Sequence, residues 1–97
     1  MEANKQKAVA LWIKSDGTIV KVDAQNGKDF SLDELQGFVE GYIEIVHLTD
    51  EYVMVVNEEG KLIGLPLNED ATCMLEKLGI VNYIVGDVIV CRSVYIK

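Results

Sequence analysis

The chain has 97 residues, with Lys+Arg 9 against Asp+Glu 16, a formal net charge of −7 and a pI near 4.5. One domain of ordinary size fits that length, whereas an eight-fold strand–helix barrel or a two-half dinucleotide fold does not. Hydrophobic residues at 49% and charged residues at 26% describe a packed globule rather than a disordered tail, and the acidic balance predicts no nucleic-acid and no anionic-membrane partner.

The lead-in, residues 1–7, is polar, and the apolar run at 8–13 is six residues long. That is too short for a signal-peptide core or a membrane span, so a cytoplasmic protein is expected. Val (13) and Ile (9) dominate and Pro occurs once, a bias toward half-buried pleated surfaces. Residues 8–14 and 18–23 read as two strands joined through Ser15-Asp16-Gly17, where Asp-Gly signals a hairpin. Asn26-Gly27 makes the next turn. Ser31 with Glu34 then matches a capping box, opening a helix of about two turns whose Leu32, Leu35 and Val39 share a face. Residues 42–48 and 52–57 form the clearest strand pair, and 62–65 reads as a short strand ended by Pro66. Asn68 caps a helix over 69–78, with Glu69 and Asp70 at its start, Lys77 at its end and Gly79 beyond it. Ala71, Leu75 or Met74, and Leu78 supply its buried stripe. Residues 83–85 and 88–91 complete the strands, with 92–97 able to extend the last one. The expected fold is a single α+β domain over 1–97, one mostly antiparallel sheet of five to seven short strands with two short helices.

The charge is unevenly placed. Residues 1–28 carry +2, residues 60–97 carry zero, and residues 29–59 hold nine acids with no Lys or Arg, a local charge of −9. One reading is a solvated face; the sharper one is an acidic patch that docks a basic protein partner, because clustered charge steers association. Its members are Asp33, Glu34, Glu40, Asp50, Glu51 and Glu59, with Glu58 beside them.

Chemistry-bearing patterns are sparse. His47 is the single histidine and is read as a partly buried structural residue. Cys73 and Cys91 have apolar neighbours and are expected as free, buried thiols. No zinc-ligand spacing and no phosphate-binding glycine loop occurs, so no metal, cofactor or catalytic residue is expected. One constellation stands out. If Leu48 pairs with Glu51, positions whose numbers sum to 99 oppose each other. Ile43, Ile45 and His47 then face Val56, Met54 and Tyr52 in the core. On the other face Tyr42 meets Asn57 and Glu44 meets Val55, close to the segment carrying Asn68. Tyr42, Glu44, Asn57, Glu58 and Asn68 are therefore the candidate ligand- or partner-binding residues. The arrangement requires the odd positions from 43 to 47 to turn inward and the even ones outward.

Leu35-Gln36, Gly41-Tyr42-Ile43-Glu44, Asn57-Glu58-Glu59-Gly60-Lys61-Leu62, Gly64-Leu65-Pro66-Leu67-Asn68, Ala71-Thr72 and Gly86-Asp87-Val88 recur in order along the chain. In this combination the sequence resembles a small family of bacterial, phage and mobile-element proteins, domain of unknown function 3846. The likeness covers about residues 30–91, with the hairpin at 8–23 as a strand-rich lead-in. It implies no activity or catalytic residue; it implies an accessory or counter-defence role of a phage or mobile element. The expected function is a non-enzymatic binding module for a protein with a basic surface. The alternative is a small-ligand, nucleotide-like site at Tyr42, Glu44 and Asn57, and an enzyme ranks third. Exposed strand edges also allow a homodimer.

Overall fold

The structure, a computed structural model, describes residues 7–97; residues 1–6, most of the polar lead-in, lie outside the described residues. Local chemistry sets the first elements. In the turn between β1 (Val9–Ile13) and β2 (Ile19–Asp23), Gly17 takes φ +96° and Asp16 accepts the Thr18 N–H at 2.8 Å. α1 (Leu32–Val39) starts on the expected box: Ser31 Oγ accepts the Glu34 N–H at 3.2 Å, and Glu34 accepts the Ser31 N–H at 2.9 Å. The other Glu34 oxygen accepts the Gln25 N–H at 2.8 Å, which moors the helix start to the segment after β2.

β3 (Ile43–His47) and β4 (Tyr52–Asn57) form the second hairpin, α2 (Glu69–Lys77) follows, and β5 (Val88–Arg92) comes last. All pairings are antiparallel and the order is β2-β1-β5-β4-β3. The final strand thus lies at the centre, between two local hairpins. α1 covers one face of the sheet, where Phe30, Leu35 and Val39 pack on Val53, Val55, Ile89 and Cys91. α2 covers part of the other, where Ala71 and Leu75 pack with Ile84 on Ile13, Met54, Val56 and Val88. With a helix on each side, β4 is buried on both faces, from Val53 at 1% exposure to Val56 at 7%. The hydrophobic driving force therefore acts on even and odd positions alike.

That arrangement corrects several expectations. Ile43 and Ile45 do turn inward, but so does Val46, toward the α2 layer. Residues 62–65 form no strand. The Ile63 N–H bonds to Glu59 O and the Leu65 N–H to Gly60 O, so the segment coils and leaves Leu62 and Ile63 exposed. Of residues 83–85, only Val85 bridges, to Leu67. After β5 a 3-10 turn over Ser93–Tyr95 replaces a longer strand, letting Ile96 bridge Phe30. Leu32 and Leu78 fall outside their helices' buried stripes. Cys73 and His47 are exposed, whereas Cys91 is buried as expected; both thiols are free.

Candidate functional site

The β3–β4 register decides the site. Thr49 closes the turn by accepting the Glu51 and Tyr52 N–H groups on Oγ1, and the Leu48 and Thr49 N–H groups both bond to Tyr52 O. Leu48 therefore meets Tyr52, not Glu51, and the whole ladder shifts by one residue: Ile43 faces Asn57, Glu44 faces Val56 and His47 faces Val53. Tyr42 stands opposite Glu58, whose N–H bonds to Tyr42 O at 2.8 Å. A one-residue shift sends the side chains of one strand to the other face. Glu44 and Asn57 consequently do not share a face: Asn57 looks toward α1 and Glu44 toward the α2 side.

Asn57 is 7% exposed and its carboxamide is fully engaged. Nδ2 donates to Val39 O at 3.1 Å and Glu40 O at 3.4 Å, and Oδ1 accepts the Glu59 N–H at 2.8 Å. It serves the free carbonyls at the end of α1, where Glu40 adopts φ +61°. Gly41 passes so close that a Cβ there would lie 2.6 Å from Asn57 Nδ2. Asn68 is wholly buried: Oδ1 accepts the Ala71 N–H as the α2 cap, and Nδ2 donates to Ile13 O at 3.0 Å and Gly86 O at 2.9 Å. Both asparagines are structural. The expected Tyr42–Glu44–Asn57–Asn68 pocket is therefore not assembled.

What the open end of the hairpin carries instead is a pair of clefts that both touch Asn57, which meets Glu44 and Glu58 in one and Tyr42 in the other. On one side Tyr42, Glu40, Glu59, Gln36 and Ile63 border a depression of about 240 Å³. On the other, Glu44 and Glu58 stand at a cleft of about 130 Å³ with Val46, Val56 and Ile84 among its apolar walls. Lys61, Asn82 and Tyr83 complete that second cleft, three residues that sequence reasoning missed. Lys61 Nζ donates to Asn82 Oδ1 at 2.7 Å and sits 4.0 Å from the Tyr83 ring centroid. No sequence signal links positions 61, 82 and 83; the coil at 58–64 brings them together.

The acids divide. Glu34 is consumed by the α1 cap, and Asp33 is exposed in the same turn. Glu40, Glu44, Glu58 and Glu59 gather at the open end of the hairpin, while Asp50 and Glu51 occupy its turn, roughly 20 Å away along β4. All six are exposed, and among the described residues none of these six carboxylates makes a hydrogen bond or ion pair. Among the described residues no helix is long and apolar enough to cross a membrane.

A five-stranded antiparallel sheet with one helix on each face, built around a centrally inserted last strand, is the class of domain these features define. The chain belongs to the family described as domain of unknown function 3846, whose model matches residues 6–95 and so takes in the N-terminal hairpin as well as the motifs noted above. No curated protein and no solved structure matches the chain.

Proposed function

We propose that the protein is a non-enzymatic binding module that engages a basic surface of a protein partner through the acids of the β3–β4 hairpin. The observation that carries this reading is that Glu40, Glu44, Asp50, Glu51, Glu58 and Glu59 have no internal partner among the described residues. Carboxylates left hydrated in the free protein are available to a cation from outside, and a single-sign segment accelerates encounter. Lys61 lines the same cleft as Glu44 and Glu58 but forms no ion pair with them, since Asn82 and Tyr83 hold its head group. The setting we assign is cytoplasmic, as an accessory or counter-defence protein of a phage or mobile element; the ordered motifs support that setting.

Immobilised protein is exposed to a bacterial lysate at about 50 mM and about 500 mM NaCl, and retained proteins are identified by mass spectrometry. Basic-surfaced proteins are expected at the lower salt, lost at the higher one and absent when Glu40, Glu44, Glu58 and Glu59 are replaced by Lys. Retention indifferent to both changes overturns the reading.

A small-ligand reading rests on the cleft at Glu44, Glu58, Lys61, Asn82 and Tyr83. Its 130 Å³ is below the roughly 300 Å³ at which sites begin to bury drug-sized ligands, so a nucleotide is disfavoured there. A thermal-shift screen with nucleotides decides: saturation at 100 times the dissociation constant stabilises by about 2.7 kcal/mol.

A further inference from the structure

β3 is the end strand of the sheet, and β4 is its one partner. The hydrogen bonds from the Glu58 N–H to Tyr42 O and from the Leu48 N–H to Tyr52 O fix which backbone groups face β4. In an antiparallel ladder the direction alternates, so positions 42, 44, 46 and 48 point at β4. Ile43, Ile45 and His47 then turn their N–H and C=O groups away from the sheet. Among the described residues no hydrogen bond reaches these groups.

Such an edge is a template for another strand unless something blunts it. The opposite edge, β2, is guarded by the exposed, charged side chain of Lys21 in the middle of that strand. β3 has no Lys, no Pro and no extra unpaired residue across its five positions. What it has is negative charge along its length: Glu40 before it, Glu44 within it, and Asp50 and Glu51 after it. Its side chains alternate as well, with Ile43 and Ile45 partly buried toward the α1 layer and Glu44 exposed on the other face.

We infer that the β3 edge is the docking surface for an extended segment of the partner protein that adds as a sixth strand and alternates apolar with basic residues. The apolar positions continue the Ile43–Ile45 face, the basic ones meet Glu44 on the opposite face, and Ile43, Ile45 and His47 exchange main-chain hydrogen bonds with the added strand. This rests on the reading of a basic partner given above and adds its geometry. Charge complementarity selects the occupant, because residues 29–59 contain nine acids and no Lys or Arg.

The test uses the full chain and a fluorescent octapeptide that alternates lysine and valine, followed by anisotropy. Binding is expected at low salt and should weaken as salt rises. The fully N-methylated peptide keeps every charge but cannot donate main-chain hydrogen bonds, and is expected to bind at least about tenfold more weakly. His47→Pro removes an outward N–H from an exposed edge position without touching the β3–β4 ladder, and should produce a similar loss. Circular dichroism checks its fold, and the methylated peptide keeps the test decisive if that variant does not fold. Equal affinity for the two peptides overturns edge pairing while leaving an acidic binding surface standing. Failure of the octapeptide to bind at low salt also overturns it; if retention from lysate is then salt-independent too, the basic-partner reading falls with it. Concentration-dependent self-assembly in sedimentation, abolished by His47→Pro, assigns the edge to a second copy and overturns the partner strand.

Discussion

At the scale of single residues, Asn68 ties together three separate parts of the molecule through one buried carboxamide. It caps α2 and at the same time serves carbonyls of β1 and of the turn before β5. Asn68→Ala removes a cap contributing about 1 kcal/mol and takes one donor from each of two buried carbonyls, for an expected loss of about 2–3 kcal/mol by urea denaturation. Asn68→Asp keeps the acceptor, loses both donors and buries a charge, so it should cost at least as much. Glu34 provides a pH-dependent counterpart. The N–H groups of Ser31 and then Gln25 hold its carboxyl below the ordinary value of 4.5. A depressed folded value stabilises the native state above the unfolded value, and that contribution disappears as pH falls through the folded one. The difference in melting temperature between the wild type and Glu34→Gln should therefore be widest near neutrality and close below pH 4.5.

At the scale of elements, one sheet with a helix on each face has two cores separated by the sheet itself. Val39 belongs to the α1 side and Ile13 to the α2 side. Val39→Ala and Ile13→Val should each destabilise by about 1–2 kcal/mol, and their double mutant should be additive within about 0.5 kcal/mol because they belong to separate core layers. Clear non-additivity in chemical denaturation would mean the two layers are coupled through the sheet. The same two-sidedness explains what was and was not legible. The starts of α1 and α2 were readable because caps and first-turn acids are local signals, and the end of α2 to within a residue. Strands were readable where Val and Ile cluster, as at Tyr52–Asn57. The β3–β4 register was not, because it turned on one Thr49 hydroxyl and a loop one residue longer than the sequence pattern suggested.

For the whole molecule, the two cysteines report on different things. Cys91 lies in the core at 3% exposure, and burial pushes its thiol up to about 11, while Cys73 is exposed on α2. At pH 8 iodoacetamide should modify Cys73 alone, and Cys91 should react only at the rate of global opening, rising with urea through the unfolding transition. Modification of Cys91 as fast as Cys73 would show that the β5 centre of the sheet opens locally. The candidate site belongs to this scale too. Its exposed acids were visible in the sequence as a run of charge, but their division between the two ends of a hairpin, and the company of Lys61, Asn82 and Tyr83, came from packing.

The sequence by itself determined the elements whose hydrogen bonds close within a few residues: the Asp16-Gly17 turn, the Ser31–Glu34 box, the Asn68 cap and the left-handed Gly79 after α2. It also determined that one segment would hold all the excess negative charge. Only the tertiary structure decided that β5 separates the two hairpins, that both sheet faces are covered, and that Asn57 and Asn68 serve the backbone rather than a ligand. The reason is the reach of the bonds involved. Asn68 meets Ile13 across 55 positions and Asp87 meets Ser15 across 72, and contacts so distant in the chain depend on how every intervening element packs.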